Sequence, residues 1–287
     1  MFVQQVISGI AIGCIYAMVA LAFILVYKAT EIVNFAQGDM LMLCTFFCYY
    51  LISVQHFSYW PAFVLTLIFS IVIGLLMHLV LRKMFGAHEF SIIIATIAVG
   101  IIIRGGVGLA GGTDTYPFPS PFSAKPYNFG GIIINRQFVW IILITLLLLV
   151  VFYYLYNCTT FGTAMRATSQ DTTAAQLMGI NVNIIYGLSW IICSAVGAVA
   201  GILIAPITFL FLGIGFVGLK AFPAAVLGGW GNIPGTVVGS ITIGVSENLA
   251  GGYLPHGMKD IFAWIILIVV LILRPKGIFG IHRKKKL

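Results

Sequence analysis

Acidic residues are scarce in this chain. Seven Asp and Glu stand against fifteen Lys and Arg in 287 residues, so charged side chains make up only 8%, where a soluble domain carries roughly 25%. So few charges cannot cover a compact particle of this size, which excludes a water-soluble globular enzyme. Hydrophobic residues reach 61% and mean hydropathy is +1.11, which excludes disorder as well. Signatures of self-contained chemistry are missing too. There is no phosphate-binding loop, so the chain does not bind ATP in the usual way, and no Ser, His and carboxylate stand in a hydrolase arrangement. Cys14, Cys44, Cys48, Cys158 and Cys193 form no ladder of metal ligands. His56, His78, His88, His256 and His282 fall in separate segments and read as interfacial or packing residues. What remains is a polytopic, all-α membrane protein, and its 32 glycines suit close helix packing and broken helices.

The net charge of +8 invites a nucleic-acid reading, but its distribution removes it. Arg283, Lys284, Lys285 and Lys286 cluster behind Arg274 and Lys276. Residues 274–287 therefore read as a basic cytoplasmic tail beside anionic lipid headgroups, with no nucleic-acid partner. Residues 1–27 have no basic start and are long enough to remain as a first span, so no cleavable signal is expected.

A span needs roughly 20 apolar residues. Stretches 6–27, 40–54, 60–81, 92–109, 138–156 and 184–210 are candidates, and 111–135, rich in Pro, Gly and aromatics, is the largest loop. Region 217–246 is broken in its middle by Gly228, Gly229, Gly231, Pro234 and Gly235. The last span, 262–273, is short unless it starts near Met258. Placing Arg82, Lys83, Arg166 and the tail on one side requires an even number of crossings from the broken region. Two short crossings meeting near Trp230 satisfy this, as does one re-entrant loop with no net crossing; the two crossings give nine spans with the N-terminus outside, and eight is the alternative count if one short apolar segment is miscounted. No internal repeat is visible.

Several polar residues interrupt this pattern. Asn34, Gln37, Gly38 and Asp39 follow Glu31 between two apolar stretches. Buried, they would form a polar gate or lining; solvated, they would be a loop in which Asp39 caps the next helix. The stretch 220–235 contains backbone breaks that are costly in lipid. It reads either as an interior segment lining a route, through Gly228, Gly229, Asn232 and Pro234, or as a tight turn between two helices. Arg104 sits near the end of an apolar span, where it would snorkel to the interface. Glu247 reads as a capping, packing or transport residue. Neither charge has an ionisable partner nearby in sequence.

Residues 157–183 are too hydrophilic to cross lipid and read as a cytoplasmic loop holding a short helix pair. Asp171 can cap the second helix and Gly179 can end it. Gly162, Arg166, Ala167 and Ala175 add a close contact, a charged donor and small apolar contacts suited to docking, or to lying against the protein's own membrane face.

Four segments in order, 34–39, 162–182, 220–235 and 273–280, closely resemble the LivH-type permease of bacterial branched-chain amino acid ABC transporters, and the resemblance covers nearly the whole chain. It implies a single transmembrane permease domain over 1–287 with a type II-like importer fold, placed as a multi-pass protein in the bacterial inner membrane. It also implies a transport subunit rather than an enzyme, partnered by a second, LivM-like permease, two cytoplasmic ATPase subunits that use ATP and Mg, and an extracytoplasmic amino-acid-binding protein. On this resemblance 157–183 is the coupling loop, and 34–39 and 228–235 lie near the translocation route. The family usually has histidine where this chain has Gln37, so any role there rests on a neutral amide. Urea or other amides are alternative solutes, although the absence of a long N-terminal extension disfavours urea. An ion-gradient-driven carrier is the other alternative, and it would need a midplane carboxylate.

Overall fold

The computed structural model describes residues 2–85, 88–122, 126–129, 132–255, 257–274 and 277–280. The expected tail residues 275–276 and 281–287 lie outside these. Helix α1 is Phe2–Thr30; α2, Gln37–Tyr49, is continued by a π-helical turn, Tyr50–Val54. Helices α3, Tyr59–Leu81, and α4, Glu89–Gly111, come next. The long loop carries a small antiparallel hairpin, β1 Tyr127–Phe129 with β2 Ile132–Ile134. Then come α5, Arg136–Cys158; the short α6, Thr160–Gln170, and α7, Thr172–Leu177; and α8, Val182–Thr208. A 3-10 turn, Leu212–Gly215, leads into α9, Phe216–Gly228, followed by α10, Ile233–Tyr253, and α11, Met258–Leu273.

Among the described residues, six helices are long and apolar enough to cross a membrane: Phe2–Thr30, Gln37–Val54, Tyr59–Met84, Phe90–Gly111, Arg136–Cys158 and Val182–Thr208. They match the six unbroken stretches read from sequence. Leu212–Gly228 is a shorter apolar helix. The glycine-broken region is two helices meeting near Trp230, and the last helix starts at Met258, the earlier of its two expected starts.

Helix α1 forms the centre. Every residue in 13–26 is buried, whereas α3, α4 and α5 turn aliphatic side chains such as Ile68, Ile101 and Leu147 outward, as a lipid-facing surface requires. Lipid supplies no hydrophobic drive between helices, so contact depends on small residues that let backbones approach. Gly9 and Gly13 of α1 supply this against α10. A Cβ on Gly13 would come within 2.7 Å of Ile241 Cα, and one on Gly244 would overlap the Gly13 backbone. Gly74 of α3 does the same against α8, where an added Cβ would lie 2.6 Å from Ile191 Cα.

The bundle has two distinct ends. At one, Lys28 of α1 donates to Tyr156 Oη of α5 at 2.9 Å, His78 Nε2 of α3 meets Asn183 Oδ1 of α8 at 3.0 Å, Arg82 and Lys83 follow α3 directly, and Arg166 donates to the Tyr156 carbonyl. This is the basic end. At the far end Asn248 of α10 donates to the Gln5 carbonyl of α1 at 2.6 Å, and Tyr116, in the loop after α4, pairs with Leu210, just after α8, through two backbone hydrogen bonds.

Candidate translocation and coupling sites

Two of the helices begin inside the bundle. After α1 the chain turns at Glu31, whose positive φ of 58° is unusual for a non-glycine residue, and runs without helix to Gln37. After α8 it turns at Phe209, φ 63°, and re-enters through the 3-10 turn. The N-termini of α2 and α9 then meet. A Cβ on Gly218 would lie 2.5 Å from Gly38 Cα, and one on Gly38 would overlap the Gly215 carbonyl. Only glycine fits at this crossing, so its backbone breaks are enclosed by protein, as lipid demands.

The side chains of 34–39 complete the junction. Asn34 and Gln37 are fully buried. Asn34 Oδ1 accepts from the Ala36 amide at 3.1 Å, and its Nδ2 donates to Gln37 Oε1 at 3.3 Å. Gln37 Nε2 donates to the Cys193 carbonyl at 3.1 Å, and Cys193 Sγ donates back to Gln37 Oε1 at 2.7 Å. Gln37 is thus an amide clamp between the start of α2 and the interior of α8. Cys193 is its partner.

Asp39 is not a helix cap. The capping position of α2 is Ala36, which has no side-chain cap bond, and Asp39 instead pairs with Arg104 of α4. Arg104 Nη2 and Nε lie 2.8 and 2.9 Å from Asp39 Oδ1, and its guanidinium sits 4.9 Å from the centre of the Phe216 ring. The expectation that Arg104 snorkels is corrected on the same ground. A bare charge inside a membrane helix costs about 2.5–3.5 kcal/mol or more, and a carboxylate brought within reach offsets this more fully than a path to the interface.

Glu247, 1% exposed, also has partners that sequence distance concealed. Its Oε2 accepts from Tyr16 Oη at 2.6 Å and its Oε1 from Lys220 Nζ at 2.5 Å, while Lys220 Nζ reaches Asp260 Oδ1 at 2.7 Å. This cluster joins α1, α9, α10 and α11 at the edge of a ≈820 Å³ cavity in the far half of the bundle.

The segment holding Gly228, Gly229, Asn232 and Pro234 takes the turn form, at the basic end. Gly229 and Gly231 have φ of 100° and 86°, Asn232 Oδ1 caps α10 by accepting from the Gly235 amide at 3.1 Å, and Pro234 occupies the first turn of α10. The turn is held by the chain after α11: Asn232 Nδ2 donates to the Phe279 carbonyl at 2.9 Å, and the Ile278 amide donates to the Leu227 carbonyl at 2.9 Å. Between this turn and Asn34 stands an aromatic cluster. Phe222 lies 5.6 Å from Phe35 and 5.3 Å from Trp230, and Trp230 lies 5.2 Å from Tyr27, between ring centres.

In the helix pair, Asp171 caps α7 by accepting from the Thr173 and Ala174 amides at 2.8 and 2.9 Å, and Gly179, φ 83°, ends it. Gly162 is buried where a Cβ would meet the Leu155 carbonyl at 2.5 Å. Arg166 turns inward, donating to the Tyr156 carbonyl and lying 5.2 Å from its ring centre. Lys28 covers that ring as well, at 4.4 Å. Ala167 is half-buried and Ala175 buried. The outward knob is Leu177 and Met178, 84% and 83% exposed. Leu177 was missed in sequence because an apolar residue in a short polar helix reads as its buried side.

A bundle of apolar helices around a glycine-lined discontinuity, with a capped helix pair projecting at the basic end, defines a multi-pass membrane permease. The profile described as the permease component of branched-chain amino acid transport systems matches residues 5–271, and the chain belongs to that family. It is 31% identical to the high-affinity branched-chain amino acid transport permease LivH of Salmonella typhimurium, covering 97% of this chain and 96% of that one. It is 30% identical to BraD of Pseudomonas aeruginosa over the same shares. Among solved structures, PsaBC from Streptococcus pneumoniae in complex with Fab matches with a TM-score of 0.53 at 14% identity, over 96% of this chain and 92% of that one, a likeness of fold.

Proposed function

We propose that this chain is the membrane-spanning subunit of an ATP-driven importer for leucine, isoleucine and valine, working beside a second permease, two ATPase subunits on the basic, cytoplasmic side, and an extracytoplasmic binding protein. The reading is carried by the meeting of the α2 and α9 N-termini at Gly38, Gly215 and Gly218. Two helices that begin inside a bundle and touch at their N-termini form a joint that can be parted by moving either one, which is what alternating access needs. Nine crossings follow if 31–54 and 209–228 each count as one, with the N-terminus outside. The whole of 1–287 then forms one permease domain, with 274–287 as its cytoplasmic tail.

Asn34, Gln37, Gly38 and Asp39 form the closed middle of the route, and Gly228, Gly229, Asn232 and Pro234 border its inner mouth. Residues 157–183 are the coupling loop. Gly162, Arg166, Ala167, Asp171, Ala175 and Gly179 shape it, and Leu177 and Met178 enter the ATPase. ATP and Mg act in the partner chains. The test is purification in mild detergent followed by uptake in liposomes. Recovery of a second permease and two ATPase chains, with uptake of the three amino acids that needs both ATP and binding protein, is the expected result. Uptake by this chain alone under an ion gradient would overturn the reading.

A further inference from the structure

The ≈820 Å³ cavity between α1, α8, α9, α10 and α11 falls within the roughly 300–1,000 Å³ range of small-molecule sites, and nothing in the gate or the coupling loop uses it. Its charged lining is balanced: Lys220 and Lys259 against Glu247 and Asp260. The rest is largely aliphatic and aromatic, including Ile204, Ile207, Val217, Leu219 and Trp264. A wall of this kind with one sign of charge would select a cation or an anion. With both signs it matches a molecule that carries an ammonium, a carboxylate and an aliphatic chain.

The charges are also arranged for exchange. Glu247 is buried and held by both Tyr16 and Lys220. Asp260, by contrast, has a 74% exposed side chain and reaches Lys220 from the rim. Its carboxylate is the chemical equivalent of a solute α-carboxylate, so a solute can take its place on Lys220 with like replacing like. The displaced Asp260 is then free to face the α-ammonium, and no buried charge is left unpaired, which is the condition for such an exchange in a low-dielectric interior. The short bonds of charged groups set orientation, and the aliphatic wall takes the side chain.

We infer that this cavity is a station on the route at which zwitterionic aliphatic amino acids contact the permease directly, with Lys220 receiving the carboxylate. The inference rests on the import reading above and adds to it a place where this chain itself recognises solute.

The test uses the complete importer in liposomes. Ile207→Trp fills the cavity without touching an ion pair, and Asp260→Asn removes the rim charge at nearly constant shape. Leucine uptake should fall about tenfold or more in both, while ATP hydrolysis stimulated by loaded binding protein stays within about twofold of the parent. In equilibrium binding of tritiated leucine to the assembly without binding protein, isoleucine should compete, and leucinamide and isocaproate, each lacking one charge, should compete about tenfold less well. Undiminished uptake in both variants, or equal competition by the singly charged analogues, would overturn the inference while leaving the import reading in place. A parallel loss of ATP hydrolysis would also overturn it, since that marks a damaged assembly and not a lost solute contact. A parent importer that moves none of the three amino acids would bring down both readings together.

Discussion

Arg104 of α4 and Asp39 of α2, 65 positions apart, share a single carboxylate oxygen: two guanidinium nitrogens lie 2.8 and 2.9 Å from Asp39 Oδ1. The pair is asymmetric in its surroundings, with side-chain exposures of 37% for Arg104 and 10% for Asp39. Arg104→Gln leaves a nearly enclosed carboxylate unpaired, and breaking a buried pair in this way costs about 3–5 kcal/mol. Asp39→Asn leaves an arginine that still has solvent access and the Phe216 ring, so screening lowers its cost to about 1–2 kcal/mol. Thermal unfolding of the detergent-purified protein should therefore rank Arg104→Gln as clearly the worse. Equal midpoints for the two variants would contradict this account of the junction.

Gln37 holds α2 to α8 through paired contacts with Cys193. Gln37→Leu is close in volume but strips a buried carbonyl and the Asn34 amide of a partner, each worth about 1–3 kcal/mol when left unsatisfied. Stability should fall by about that amount, and cysteine labelling at Cys193, fully buried in the parent, should speed up. Unchanged labelling would show that the clamp does not close this part of the bundle.

Gly244→Leu should abolish the α1–α10 crossing, because even a Cβ there overlaps the Gly13 backbone and overpacking costs about 1–3 kcal/mol or more. Gly105→Leu, on the outer face of α4 with nothing within 4 Å of an added Cβ, should be harmless. Size-exclusion profiles of fluorescent fusions compare the two directly, and a monodisperse peak for Gly244→Leu would refute the crossing.

Leu177→Asp and Met178→Asp change exposed side chains, so their effect on stability should stay within about 0.5 kcal/mol. If the two residues enter an ATPase groove, however, uptake should fall about tenfold or more, since burying a charge without a partner is costly. Normal uptake by both variants at normal expression would place the docking contact elsewhere.

Tyr156 lies between Lys28 and Arg166, 4.4 and 5.2 Å from its ring centre. Tyr156→Leu removes two cation–ring contacts worth about 0.5–1 kcal/mol each at partly exposed sites. Amide exchange in α6 should accelerate several-fold as a result, and unchanged protection would show that backbone bonds alone fix α6 to the bundle.

The helices themselves could be read from sequence, because crossing lipid demands a long apolar run and few other structures need one. The helix pair at 157–183 was equally legible, since Asp171 and Gly179 are local signals whose partners lie within three or four residues. The charged contacts were not. Sequence says only that a charge such as Arg104 or Glu247 is expensive in a membrane; it does not say which helix brings the remedy. With partners at separations of 65 and 27 residues, the answer depends on how helices are placed side by side. The same holds for Gly38 and Gly218, whose small size is visible but whose mutual contact is not. Gly228, Gly229, Asn232 and Pro234 left two readings open because a turn at one end and a break in the middle use the same residues.

Helix α1 leaves the ribosome well before the surfaces that enclose it on α8, α9 and α10. Throughout most of translation the groove at Gly9 and Gly13 therefore faces lipid or insertion machinery, and α1 must be apolar enough to wait there, which its lack of charge before Lys28 allows. Completion of the centre is thus a late event in biogenesis. A nascent chain halted before α10 leaves the glycine face of α1 at Gly9 and Gly13 without the helix that covers it in the finished permease.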